Sequence, residues 1–144
     1  MNNDASPDIA AGAQASGRKA IQVLMVEDER AFIEALVPYI ELNGYKVDAA
    51  ENGVDALKLV MGKDYDLILC DMQMPKLSGD MFYMAVERVK PKQCTRFIFM
   101  TGHKGDPKID EFIRKISGIL LWKPFEAEEL MNTMQLVLQT NAPS

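Results

Sequence analysis

From residue 20 onward, short apolar runs of strand length alternate with amphipathic stretches of helical period, and nothing else in the chain restricts its fold as much. IQVLMV (Ile21–Val26), YKVDAA (Tyr45–Ala50), YDLILC (Tyr65–Cys70), TRFIFM (Thr95–Met100) and GILLW (Gly118–Trp122) are the five runs that read as strands. The first helical pattern carries Phe32, Leu36, Tyr39 and Ile40 on one side and stops at Asn43-Gly44. Pro38 falls inside it and is expected to kink it or loosen one turn. Asn52-Gly53 opens a second pattern with Val54, Leu57 and Val60. Ser78 opens a third with Met81, Phe82, Ala85, Val86 and Val89, closed by Pro91. DPKIDEFIRKI turns Ile109, Phe112, Ile113 and Ile116 inward, and FEAEELMNTMQLVLQ does the same with Leu130, Met134 and Val137. Strict alternation of strand and helix predicts the α/β class, a parallel sheet with helices on both faces. Right-handed crossovers make that sheet doubly wound. YDLILC is the most apolar run and reads as the central strand, while Val47 and Ala49 share one face of the second.

The chain has 144 residues, enough for one domain with a real core. Residues 1–19 are rich in Ala, Gly, Ser and Asn without periodicity and read as a flexible leader or linker. Residues 20–140 are the expected folded domain and 141–144 a tail. The formal net charge of −5 argues against direct nucleic-acid binding. No apolar run reaches the length of a membrane span, and the N-terminus lacks the charge and apolar core of a signal peptide. Cytoplasmic location without membrane contact follows as the default. Cys70 and Cys94 read as small buried hydrophobes rather than a disulfide.

In an open parallel sheet, chemistry gathers outside the carboxyl ends of the strands. There the first strand delivers Glu27, Asp28 and Glu29, and the third delivers Asp71. The fourth delivers Thr101, Gly102 and His103, and the fifth Lys123 followed by Pro124. Clustered carboxylates repel, and one takes up a proton unless a cation sits among them. An all-oxygen donor set without His or Cys favours a hard ion, Mg²⁺ over Zn²⁺. A carboxylate beside such an ion, with an ammonium and a hydroxyl at hand, suits acceptance of a phosphoryl group. Asp71 is the carboxylate so placed.

VLMVEDE, LILCDMQMP, FIFMTG and LLWKPF, in that order and at these spacings, resemble the receiver domain of two-component response regulators, over about Ile21 to Gln139. The resemblance implies a flavodoxin-like receiver fold with strand order 2-1-3-4-5. It implies a phosphoacceptor, Asp71, loaded from a phosphohistidine on a histidine kinase or a histidine phosphotransfer protein, with Mg²⁺ as cofactor. Glu27 and Asp28 match the acidic pair that helps hold the ion, with Asp28 the closer ligand, and Gln73 would add its backbone carbonyl. Lys123 would contact the phosphoryl group, with Lys123-Pro124 a candidate cis peptide. Thr101 would move its hydroxyl toward the modified aspartate and reshape the face made by the fourth helix, fifth strand and fifth helix, for an unnamed downstream protein. The switch position, three residues before the lysine, often carries Tyr or Phe in the family and is Leu120 here. Gln73 and His103, two residues beyond Asp71 and Thr101, match positions that tune how long the phosphoryl group survives.

Blander readings stand beside these. Glu27 and Asp28 also suit a helix N-terminus, His103 an exposed loop, and Trp122 simple packing. A phosphatase with an aspartyl nucleophile would want a second aspartate where Gln73 stands. A phosphorylation-independent interaction module on the same fold would be expected to lack an acidic residue or the lysine, and both are present. The expected activity is self-phosphorylation and autodephosphorylation, with no external metabolic substrate. The leader and the short tail suit either a stand-alone regulator or, slightly better, a receiver tethered in a hybrid histidine kinase.

Overall fold

The strand β3, Leu67–Asp71, is buried at every position and lies in the middle of a five-stranded sheet. The other strands are β1 (Ile21–Val26), β2 (Tyr45–Ala50), β4 (Phe97–Thr101) and β5 (Leu120–Trp122), in the order β2-β1-β3-β4-β5. All four pairings are parallel. This is a computed structural model in which residues 20–141 are described. The expected leader, 1–19, and most of the expected tail lie outside those residues. The helices are α1 (Arg30–Leu42), α2 (Gly53–Gly62), α3 (Gly79–Val89), α4 (Pro107–Ile116) and α5 (Ala127–Thr140).

Alternation along the strands divides the interior into two layers. Val23, Met25, Leu67, Leu69, Ile98 and Met100 face one way and meet Ile40 of α1 and Leu130, Met134 and Val137 of α5. Leu24, Val26, Ile68, Cys70, Phe97 and Phe99 face the other way and meet Val60 of α2, Phe82, Tyr83 and Val86 of α3, and Ile109 of α4. Burial on both faces is why the inner strands read as unbroken apolar runs rather than alternating ones.

Several boundaries and faces differ from the sequence expectation. The fourth strand starts at Phe97 because Pro91–Arg96 forms a 3-10 helix. The Gln93 side chain fixes that turn, accepting from the Tyr65 amide at 2.8 Å and donating to the Tyr65 carbonyl at 3.1 Å. Tyr65 is thereby held outside β3, which starts at Leu67 and runs on to include Asp71. The fifth strand begins at Leu120, since Ser117 is left-handed (φ 53°) and the Gly118 amide turns back to the Ile113 carbonyl. Val54, Met81 and Val89, expected on inward faces, are exposed. The sheet instead takes Gly53, Ala56 and Val60 of α2, and Gly79, Phe82, Tyr83 and Val86 of α3. Val54 stands two residues from Ala56, about 200° round the helix, so both cannot face inward. In β2 the buried alanine is Ala50, not Ala49. Pro38 sits inside α1, which is continuous from Arg30 to Leu42. Both cysteines are free, Cys70 buried and Cys94 half-buried in the 3-10 turn.

Gly79, the first residue of α3, ties this helix to the end of β3. Its amide donates to the Met72 carbonyl at 3.0 Å. A Cβ there would lie 2.6 Å from the Asp71 carbonyl oxygen and 2.9 Å from Met72 Cα, both backbone atoms. Gly79→Ala is therefore expected to destabilise the protein by about 1–3 kcal/mol despite alanine's better helix propensity. Gly62→Ala, with open space around its Cβ, should be neutral or stabilising. Urea denaturation of the two variants checks the contrast, and equal midpoints would refute it.

Candidate functional site

The carboxyl ends of β1, β3, β4 and β5 bring the chemical residues together because neighbouring parallel strands finish at one edge. Asp71 is the last residue of β3 and Thr101 the last of β4, while Glu27 and Lys123 directly follow β1 and β5. Backbone hydrogen bonds extend the ladder past the strand ends. The Glu27 amide donates to Ala50 O at 3.0 Å, Met72 N to Met100 O at 2.9 Å, and Lys123 N to Thr101 O at 2.7 Å. The side chains thus leave from fixed points.

Lys123 occupies the centre. Its Nζ donates to Glu27 Oε1 at 2.6 Å and to Asp71 Oδ2 at 3.1 Å, with Glu29 Oε1 at 3.9 Å. Glu27 is completely buried and Asp71 nearly so. The remaining oxygens are also partnered: Glu27 Oε2 accepts from the Glu29 amide and Asp71 Oδ1 from the Gln73 amide, both at 3.1 Å. Asp28, by contrast, is exposed. Oxygen atoms of Glu27, Asp28 and Asp71 all lie within 4.8 Å of one another. An all-oxygen acidic trio of that size fits a hard divalent cation. The fit is supported by the local charge, since one ammonium serves both buried carboxylates of the trio.

Burial is the main reason the Glu27 carboxyl is held up to about 7. The Lys123 hydrogen bond opposes that rise, the negative charge of Asp71 adds to it, and the Glu29 amide opposes it. For Lys123 burial works downward, but its bond to Glu27 and the charges of Asp71 and Glu27 outweigh it, so the ammonium is held above the usual lysine range. The ammonium is the fixed charge and Glu27 the adjustable one.

Asp28, Glu29, Asp71, Gln73, Gly102, His103 and Lys123 line a cavity of about 230 Å³ open to solvent. Five of the residues singled out in the sequence therefore share one opening, and Glu27 lies beneath it. Thr101 is fully buried, and its Oγ1 accepts from the His103 amide at 3.1 Å, so its hydroxyl is engaged by the loop above β4. The Lys123–Pro124 peptide is cis. Leu120 stands apart: it is half-buried, opposite Phe99 in the ladder, against the α2–α4 layer. Two neighbours carried no assigned role in the sequence. Glu29 adds a third acidic group beside Lys123, and Phe32 of α1 lies under the ammonium with its ring centroid 4.3 Å from Nζ. In the sequence Phe32 carried only a core-facing helical signal. A larger cavity of about 400 Å³, between Tyr83, Cys94, Phe97 and Ile119, opens near the amino ends of β4 and β5, away from these charges.

Because the folded carboxyl of Glu27 titrates above its unfolded value, its contribution to stability is present below about pH 4.5 and lost as pH rises toward 7. In chelator-treated protein, Glu27→Gln removes that loss. The variant should gain on the order of 2–3 kcal/mol over wild type between pH 4.5 and pH 8. Urea titrations across that range decide it, and parallel pH profiles would contradict the assignment.

Residues 23–135 match the sequence pattern of the response regulator receiver domain. The chain is 32% identical over 123 residues to the transcriptional regulatory protein DltR of Streptococcus agalactiae, covering 81% of this chain and 51% of that protein. It is 29% identical over 119 residues to the sensor kinase CckA of Brucella abortus, covering 81% of this chain and 12% of the kinase. The chain thus spans about half the length of the regulators it resembles, and far less of the kinase. Among solved structures, the chemotaxis protein CheY4 of Vibrio cholerae superposes with a TM-score of 0.73 at 27% identity, over 83% of this chain and 100% of that one.

Proposed function

Since the chain belongs to the response regulator receiver domain family of two-component systems, we propose that it is a phosphoacceptor module that takes a phosphoryl group onto Asp71. The observation that carries this reading is the position of Lys123 Nζ, bonded at once to Glu27 and Asp71 at the rim of a cavity that Asp28 also lines. A carboxylate with an ammonium at 3.1 Å and a solvent path beside it can meet an incoming phosphate, with a bound cation to complete the neutralisation.

In the proposed step an Asp71 carboxylate oxygen forms a bond to phosphorus as the phosphorus–nitrogen bond of the donor's phosphohistidine breaks. The bonding pair leaves on the imidazole nitrogen. Lys123 stabilises the negative charge on the transferring oxygens. Glu27, Asp28, Asp71 and the Gln73 carbonyl would hold Mg²⁺, which supplies further neutralisation of those oxygens when bound. Thr101 then gives up the His103 amide and donates its hydroxyl to the phosphoryl group, releasing the loop after β4 from one of its ties. Leu120, as the proposed switch position, packs into space that the threonine leaves, and a downstream protein reads the altered surface. The donor is a histidine kinase or a phosphotransfer protein, a reading supported by the likeness to a sensor kinase. Residues 20–140 form the receiver unit in this proposal, and residues 1–19 tether it. Among the described residues no helix is long and apolar enough to cross a membrane.

Incubation with Mg²⁺ and acetyl phosphate should add one phosphoryl group to the wild type, seen by intact mass, and none to Asp71→Asn. An adduct on the variant, or none on the wild type, would refute the assignment. Gln73 and His103 line the same cavity as Asp71, and in this proposal they border the path of a water that attacks the phosphorus. Substituting either by Ala is expected to change the half-life of the adduct severalfold. Unchanged decay in both variants would remove them from that role.

A further inference from the structure

Lys123 reaches Asp71 on a long, flexible side chain, and the two oxygens that fix its ammonium belong to groups with a second use. Glu27 and Asp71 are two of the three residues whose oxygens converge closely enough to hold a cation. A divalent ion and the ammonium therefore draw on the same carboxylates, and the hydrogen bond to Glu27 at 2.6 Å is directly exposed to that competition.

The Phe32 ring offers a contact without that conflict. Its centroid lies 4.3 Å from Lys123 Nζ, against 5.2 Å and 5.8 Å for the lysine–ring contacts at Tyr65 and Trp122. Phe32 is half-buried against the α1–α5 layer, and its ring is braced edge-on by Phe125, with centroids 5.9 Å apart and planes at 88°. Phe125 stands two residues after Lys123, so one short segment delivers both the ammonium and the brace for the ring that holds it. The negative face of an aromatic ring attracts an ammonium. It offers no oxygen to a hard divalent ion, so it does not exchange one partner for the other.

We propose that Phe32 is a positioning residue for Lys123, keeping the ammonium beside Asp71 in the ion-loaded site when the Glu27 oxygens turn to the metal. The inference rests on the reading of Asp71 as phosphoacceptor. It assigns a function to one α1 side chain that otherwise counts only as core packing. The ring fixes the direction from which positive charge meets the phosphoryl oxygens, and it does so independently of the carboxylates.

The test uses the full chain as wild type, Phe32→Leu and Phe32→Tyr. Ring current displaces the ε-methylene protons of Lys123 upfield when the ring lies beneath them. NMR should find that displacement in wild type and Phe32→Tyr, before and after saturation with Mg²⁺, and not in Phe32→Leu. Phosphorylation by acetyl phosphate at saturating Mg²⁺ should slow roughly five- to tenfold in Phe32→Leu. Phe32→Tyr should recover most of that rate, and the Mg²⁺ Kd should stay within about twofold across the three proteins. Collapse of the upfield displacement when Mg²⁺ is added to wild type would overturn the proposal. So would a wild-type rate in Phe32→Leu, or a loss of Mg²⁺ affinity as large as its loss of rate. Absence of any wild-type adduct overturns the phosphoacceptor reading and this one together, whereas a normal adduct with an unaffected Phe32→Leu overturns only the role of Phe32.

Discussion

One ammonium shared between two buried carboxylates organises the carboxyl edge of the sheet in this protein. Glu27 is fully buried and Asp71 nearly so, and an isolated buried carboxylate costs several kcal/mol. Lys123 offsets much of that cost at both, with bonds of 2.6 Å and 3.1 Å. The compensation is incomplete, because burial together with the charge of Asp71 still leaves Glu27 titrating near neutrality. A site with an unsatisfied demand for positive charge is receptive to a cation. The exposed Asp28 adds a third carboxylate oxygen within 4.8 Å of those of the other two.

The backbone makes this arrangement rigid. β3 and β4 are buried throughout, and β1, β3 and β5 each extend their pairing one bond beyond the regular ladder: Glu27 to Ala50, Met72 to Met100, and Lys123 to Thr101. Two helical layers lock the sheet from both sides, so these ends cannot move independently. The close approach of Gly79 to the Asp71–Met72 backbone adds a third constraint on the segment that carries the aspartate. What stays adjustable is a set of hydroxyl and loop contacts. The Thr101 hydroxyl holds the His103 amide, and Gly105 (φ 87°) lets the loop turn back before Asp106 caps α4.

Beneath that loop, the layer facing α3 and α4 is rich in aromatic rings. Phe97 and Phe99 stack at 5.2 Å, and Tyr83 and Phe112 meet them edge-on. Leu120 packs against this block, paired with Phe99 in the sheet. A half-buried leucine on an aromatic floor can respond to added space by small shifts in packing, without carrying a hydroxyl between water and protein. Leu120 thus offers apolar contact alone, and the conspicuous ring at the strand end is Trp122, with the Lys104 ammonium 5.8 Å away.

Much of the architecture was legible in the order of residues. Five apolar runs separated by helical periods leave a parallel sheet covered on both sides as the economical solution, and the most apolar run does lie at its centre. The clustered polar residues were legible for a related reason. Glu27, Asp71, Thr101 and Lys123 end apolar strands, and parallel strands bring their ends to one edge whatever the loops do. Local rules failed where a distant partner decided. Thr95 and Arg96 have strand-like neighbours, yet Gln93 reaching across to Tyr65 makes that stretch a 3-10 turn. Val54, Met81 and Val89 fit a helical period, but the sheet selected which side of each helix to bury. Phe32 shows the division most clearly. Its place on an apolar helix face follows from the spacing of α1, whereas its position under Lys123, 91 residues along the chain, depends on how α1 packs beside the end of β5. By itself, the sequence determined the elements and which residues stand at strand ends, because periodicity and alternation are local. Only the tertiary structure decided the distances between side chains, because these arise where segments far apart in the chain are packed together.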